Sequence, residues 1–203
     1  MAYNSDVFYQ KGLDSLKQRD YPNAINCFTE VLKIEKSSSG YSNRAFAYYN
    51  LGKKDLAKLD FERSIEEIKG ILDKSKDKDP ITYDKCLIEI SRAVSSIAQI
   101  NMDTKNFIEA ENNYTQIMGL YKMINDEKLI PNDLHISHIY TNRGVVRYKL
   151  NQIDNAARDL AAAFLETNSN DTRKELADFA AMAGMTEKLE LSITVYSTLR
   201  KKQ

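Results

Sequence analysis

One spacing recurs four times along this chain. A small residue is followed twelve positions later by alanine and four positions after that by a bulky apolar side chain. The sets are Gly12, Ala24, Phe28; Ala45, Ala57, Phe61; Ala98, Ala110, Tyr114; and Gly144, Ala156, Leu160. Twelve residues do not return to one face of a single helix, but they suit two helices that reverse at a tight turn. The small pair lets the backbones approach, and the bulky residue fills the space beside them. Stacked helical hairpins carry such a repeat, because no one hairpin buries its apolar face alone.

The local pattern agrees. Helix periodicity runs from about residue 6 to 18 with Phe8, Leu13 and Leu16. Asp20 suits an N-cap and Pro22 a first turn. Ala24, Ile25, Phe28, Val31 and Leu32 form the next apolar stripe, and Ser37-Ser38-Ser39-Gly40 breaks it. Leu51-Gly52 closes a third helix. The first two sets lie 33 residues apart and the next step is longer, so chain is inserted between the second and third. The polar segment 73–80, ending in Pro80, is expected to be an exposed loop within that insertion, with lengthened helices on either side. Loops are also expected near 125–132 and 167–171, the latter with Asn170 or Asp171 as cap. Ala177 and Leu189 keep the twelve-residue spacing with leucine for alanine, a decayed fifth pair that reads as a cap on the stack.

Composition narrows the function. Lysine plus arginine equal aspartate plus glutamate, 29 against 29, so no basic excess is present to neutralise a phosphate backbone. Arg200-Lys201-Lys202 reads as a solvated helix end. Cys27 and Cys86 form no CxxC pair and read as reduced thiols in a cytoplasmic protein. No secretory signal opens the sequence, and no apolar run approaches the roughly 20 residues of a membrane span. His135 and His138, near Asp133, have a spacing that can face one metal, but no third ligand completes a set, so they read as an exposed pair. No phosphate loop, nucleophile elbow or convergent catalytic group is visible. The expectation is a non-enzyme without cofactor or metal.

Tyr21-Pro22-Asn23-Ala24-Ile25-Asn26-Cys27-Phe28, Tyr41-Ser42-Asn43-Arg44-Ala45 with Leu51-Gly52, and Tyr140-Thr141-Asn142-Arg143-Gly144 resemble the tetratricopeptide repeat family. The resemblance covers about residues 5–167. It departs where Lys36 replaces the usual closing proline and where Lys54 takes an aromatic or apolar position. It implies an all-α, right-handed superhelix of antiparallel helix pairs, read as a single domain over 1–203. Repeats are expected at about 5–38, 38–71, 91–124 and 137–170, with capping helices over 171–203.

The resemblance also implies a concave groove lined by the first helix of each pair. Carried over by position, it takes Tyr9, Leu13 and Leu16 from the first repeat, and Asn43, Phe46, Tyr49 and Asn50 from the second. Arg92, Ser96 and Gln99 come from the third, and Asn142, Val145, Tyr148 and Lys149 from the fourth. Amides that both donate and accept, beside tyrosine faces, suit a peptide. Some family members clamp the carboxylate of heat-shock chaperones with convergent lysine, asparagine and arginine. Here Tyr9 and Leu13 occupy clamp positions, Ser96 stands where the arginine belongs, and only Asn43 and Arg92 fit, so that clamp is read as absent. The implied function is a protein-binding adaptor or scaffold, monomeric or homodimeric, of the kind co-chaperones use. It would hold a peptide or helix of a partner and neither bind nucleic acid nor insert into a membrane. The alternative is a structural protein that self-assembles through its last helix, where Leu189, Ile193, Tyr196 and Leu199 form a stripe beside Leu191 and Val195.

Overall fold

The computed structural model describes residues 5–76, 78–131 and 134–200. Asp77 of the polar linker, Asp133 beside the histidines, the start of the N-terminal segment and Lys201-Lys202 lie outside the described residues. The elements are α1 (Ser5–Lys17), α2 (Tyr21–Ile34), α3 (Ser38–Asn50), α4 (Lys54–Ser75), α5 (Pro80–Asp103), α6 (Phe107–Tyr121), α7 (Ile136–Lys149), α8 (Ile153–Glu166), α9 (Asn170–Met182) and α10 (Thr186–Arg200). A 3₁₀ turn at Glu127–Leu129 precedes α7. Among the described residues the fold is all-α, and α1 with α2, α3 with α4 and α7 with α8 pack as helical hairpins.

Five hairpin turns close in the same way. Two residues past the first helix, one residue takes a positive φ: Arg19 (60°), Gly52 (73°), Lys105 (61°), Asn151 (59°) and Gly184 (66°). The next N–H then reaches back to the carbonyl five residues earlier: Asp20 to Ser15 (2.8 Å), Lys53 to Tyr48 (2.9 Å), Asn106 to Asn101 (2.7 Å), Gln152 to Arg147 (2.8 Å) and Met185 to Ala180 (2.8 Å). This is the six-to-one bond of a Schellman turn, which satisfies carbonyls that the helix end leaves orphaned. Glycine takes the left-handed position freely in two turns. Arginine, lysine and asparagine accept its cost in the other three. The same turn geometry thus recurs at all five positions.

Two compact units divide the chain, the first holding residues up to 100 with 123–126, the second 101–122 with 127 onwards. In the first unit α1 packs on α2, α2 on α3, and α3 on α4. The recurring small residues sit at the closest approaches. A Cβ added at Gly12 would lie 2.7 Å from the Phe28 ring, and Ala24, Ala45 and Ala57 have no exposed surface. In the second unit α6 packs on α7 and α7 on α8. There a Cβ at Gly144 would lie 3.1 Å from Leu160 and 3.3 Å from the Ala156 carbonyl oxygen.

Ala57 and Ala110 therefore carry a prediction. Each is fully buried, so replacing either with leucine forces extra methylenes into closed space. Overpacking of this kind costs about 1–3 kcal/mol, read as a lowered midpoint in urea or thermal melts followed by circular dichroism. Wild-type melts for both variants would mean that the helices do not meet there. Ala47 is expected from sequence on a less crowded side of α3. The structure corrects this: Ala47 is fully buried and joins Ala24 and Phe28 in the core of the first unit, because that side of α3 faces α2 of the preceding pair. Ala47→Leu belongs with the costly substitutions.

Further differences concern boundaries. The linker expected over 73–80 is shorter, since α4 continues through Ser75 and α5 begins at Pro80. The inserted chain lengthens these two helices to 22 and 24 residues. α5 buries most of its surface, including Leu87, Ile90, Val94 and Ile97, and leaves Lys85, Glu89, Arg92 and Gln99 exposed along one polar stripe. α3 begins inside the serine-glycine run, with Ser37 as its cap accepting from the Gly40 N–H. α9 is capped by Ser169, which accepts from the Thr172 N–H, rather than by Asn170 or Asp171. Its hydroxyl precedes the first helical residue and meets the N3 amide.

Candidate functional site

In the first unit, α3 and α5 together line two neighbouring cavities. One, of about 400 Å³, is polar and bounded by Tyr9, Ser38, Ser39, Ser42, Asn43, Ser64, Ile68 and Glu89. The other, of about 140 Å³, is mostly apolar and bounded by Phe46, Tyr49, Phe61, Ser96 and Gln99. Along α3, residues 38–43 serve the polar cavity and 46–49 the apolar one; along α5, Glu89 serves the first and residues 96 and 99 the second. The two helices thus run in the same direction past a channel that is polar at one end and apolar at the other.

The polar end is organised by its own hydrogen bonds. Asn43 Nδ2 donates to the Tyr9 hydroxyl at 3.0 Å. The hydroxyls of Ser42 and Ser64 lie 2.8 Å apart, and those of Ser37 and Ser39 2.9 Å apart. At the apolar end, Phe46 remains 47% exposed although it belongs to the largest class of apolar side chains. Its ring meets Tyr21 edge to face at 6.5 Å. A half-exposed aromatic beside a small apolar cavity is a surface that another chain can cover. Arg92 donates to Glu89 at 2.9 Å, so the charges at this face already include an internal pair.

The expected groove residues separate into three groups. Tyr9, Asn43, Phe46, Tyr49, Ser96 and Gln99 line the two cavities. Leu13 and Leu16 pack instead on the core formed by Ala24, Phe28 and Ala47, and Asn50 turns its amide to the Phe46 carbonyl at 2.8 Å. In the second unit Asn142 is exposed and Val145 half-buried, while Tyr148 stacks edge to face on Phe179 of α9 at 5.6 Å. The serines of the polar cavity were not expected from sequence. Their run reads as a helix break, and only the N-cap role of Ser37 explains how the same residues both end one helix and open the next.

Behind the channel, the first unit holds a buried ion pair. Arg44 donates from Nε and Nη2 to the two oxygens of Asp60 at 2.7 and 2.9 Å, and from Nη1 to the Thr29 hydroxyl at 3.2 Å. Burial works against the Arg44 cation, yet the hydrogen bonds and charge of Asp60 hold its pKa above the ordinary value. The second unit builds the same arrangement: Arg143 donates to Asp159 at 2.8 and 2.7 Å and to Thr115 at 3.2 Å. Arg147 adds a bond to Asp159 at 2.9 Å. These pairs fix how the first helix of each pair turns its other face outward.

The remaining candidates have structural roles. His135 caps α7, accepting from the Ser137 N–H at 3.3 Å, and His138 is exposed. Among the described residues, no three His, Cys, Asp or Glu side chains are placed to hold a metal ion. Cys27 and Cys86 are buried, and burial pushes both thiols up, which disfavours the nucleophilic thiolate. Among the described residues, no helix is long and apolar enough to cross a membrane.

Comparison with known proteins then gives the following. Residues 38–68, covering α3 and most of α4, match the tetratricopeptide repeat model. No curated protein matches the sequence. The fold is similar to that of BtubC (BKLC) from P. vanneervenii, with TM-score 0.59 and 18% identity over 93% of this chain and 76% of that one. Looser likenesses are to pilF of Pseudomonas aeruginosa, with TM-score 0.39 and 13% identity over 98% of this chain and 97% of that one. The TPR2AB domain of yeast Sti1 in complex with pHSP90 has TM-score 0.44 and 13% identity over 97% and 95% of the two chains.

Proposed function

We propose that this chain, whose residues 38–68 match the tetratricopeptide repeat model, is a protein-binding adaptor whose first unit holds an extended segment of a partner protein between α3 and α5. The observation that carries this reading is the juxtaposition of the polar and apolar cavities along the same two helices. From Asn43 to Tyr49 the channel extends ~9 Å at the rise of an α-helix. An extended chain covers that distance in about three residues. The bound segment would place an apolar side chain between Phe46, Tyr49 and Phe61. A polar, uncharged stretch about three residues away would lie among the hydroxyls and the Asn43 amide. Tyrosine faces and amides suit such a segment, because they meet its side chains and its backbone at once.

The test compares wild type with Asn43→Ala/Tyr49→Ala in capture from cell extract, followed by mass spectrometry. Circular dichroism establishes that both are equally folded. The double variant is expected to lose its principal partner roughly tenfold or more, as truncation of an interface tyrosine does. Identical partner sets at equal yield would remove the channel as the binding site.

A further inference from the structure

The apolar cavity of the first unit has walls of unequal character. α3 contributes Phe46 and Tyr49, three positions apart and so on one side of the helix. α5 contributes Ser96 and Gln99 at the same interval. Phe61 of α4, 6% exposed, joins them. Aromatic rings therefore dominate the lining, and the α5 side is short or polar. The Ser96 hydroxyl donates to the Arg92 carbonyl of its own helix at 3.1 Å, so Ser96 adds little volume and its hydrogen bond stays within α5. Tyr21 meets Phe46 with the rings at 69°, which steadies the half-exposed Phe46 ring in one orientation.

The geometry points to a phenylalanine side chain of the partner as the group this cavity holds. The inference rests on the channel reading above and adds the identity of its anchor. Volume sets the upper limit. The cavity measures about 140 Å³, and a dry cavity of about 150 Å³ admits one benzene ring. A phenyl group fills it, and the larger indole of tryptophan overpacks it. Ring chemistry sets the preference below that limit. Phe46, Tyr49 and Phe61 offer edges and faces to a guest ring, a gain beyond buried area that leucine or valine does not share. Ser96 keeps the α5 side open, since a larger side chain there would stand where the ring goes. Charge narrows the other end of the segment. Glu89 lines the polar cavity and would repel an acidic residue placed there; Arg92, which could meet a partner carboxylate, is already paired with Glu89. The segment is therefore a phenylalanine with a serine, threonine or asparagine about three residues away, and no acidic residue at that end.

A phage-displayed library of random short peptides, selected on the full chain and counter-selected on Asn43→Ala/Tyr49→Ala, tests this. Counter-selection keeps only peptides that need the channel. These are expected to share a phenylalanine, with a hydroxyl or amide side chain about three residues away. In a synthetic peptide of the selected sequence, leucine in place of the phenylalanine weakens binding about threefold to tenfold by fluorescence anisotropy. Tryptophan in its place weakens binding about tenfold. Ser96→Leu, at a half-buried position of α5, keeps the chain helical by circular dichroism and fills the cavity from one side. It weakens the phenylalanine peptide roughly tenfold and leaves little difference between that peptide and its alanine form. A library that yields no channel-dependent peptide overturns the channel reading and this inference with it. Channel-dependent peptides anchored by leucine, isoleucine or tryptophan overturn this inference alone, as does a Ser96→Leu chain that keeps the full preference for phenylalanine over alanine.

Discussion

Asp159→Ala lowers the unfolding free energy of the second unit by about 3–5 kcal/mol, the cost of removing one partner from a buried ion pair. Asp159 is 4% exposed and accepts from Arg143 at 2.8 and 2.7 Å and from Arg147 at 2.9 Å. Its loss leaves two guanidinium groups close together in a site that water barely reaches. Arg147 keeps Glu111 at 2.8 Å, but Arg143 keeps the Thr115 hydroxyl and the Tyr140 ring at 5.9 Å, neither of which carries a charge to balance its own. Urea denaturation followed by circular dichroism measures the change. Two controls isolate the cause. Glu30→Ala removes an exposed pair with Lys33 and shifts stability by no more than about 1 kcal/mol. Arg143→Met/Asp159→Leu removes both charges together and recovers much of the loss, because apolar groups of similar volume replace a desolvated pair at little cost. A single variant as stable as wild type would show that the carboxylate does not hold the arginines.

Phe28→Ala costs the first unit about 3–5 kcal/mol, the range for deleting a buried aromatic ring. Phe28 has no exposed surface; its ring lies against the backbone of Gly12 and meets Tyr9 edge to face at 5.7 Å. The cavity collapses poorly, since the wall at Gly12 has no side chain that could swing into it. Gly12→Ala errs in the opposite direction, placing a Cβ 2.7 Å from the ring, and costs about 1–3 kcal/mol. The two sites are coupled. In Gly12→Ala/Phe28→Leu the added methyl enters space vacated by the smaller side chain, so the double variant loses less than the sum of the singles. Strict additivity would separate residues that the structure places in contact.

Much of the architecture was legible because its signal is local in type. Small residues opposite bulky ones identify where two helices cross, and that requirement survives whatever else surrounds the pair. The turn residues were partly legible: Gly52 and Gly184 announce a positive φ, whereas Arg19, Lys105 and Asn151 adopt it without announcing it. The ion pairs were present in the sequence as a pattern that went unread. Arg44 and Arg143 each precede the small residue of their set, and Asp60 and Asp159 each precede the bulky one. Charged side chains are ordinarily solvated, so only the packed helices show that these four positions face inward. Ala47 was misplaced for a related reason. The pattern within one hairpin says nothing about the face that meets the preceding one. At the candidate site, Phe46, Tyr49, Ser96 and Gln99 followed from position in the first helix of a repeat, but Phe61, which α4 supplies to the apolar cavity, did not. The cavity's size is a property of tertiary packing, which no periodicity encodes.

Each arginine of the buried pairs takes its third acceptor from the helix before its own hairpin, Thr29 of α2 for Arg44 and Thr115 of α6 for Arg143. A hairpin in an array of this kind opens alone where little joins it to its neighbour. With the guanidinium shared, opening α3 and α4 strips a hydrogen bond from a cation that α2 helps to solvate. Adjacent helices then exchange their amide protons in one concerted event rather than in sequence from the nearest end. Amides at the centres of α2 and α3 would report one opening free energy, and those of α6 and α7 would share another.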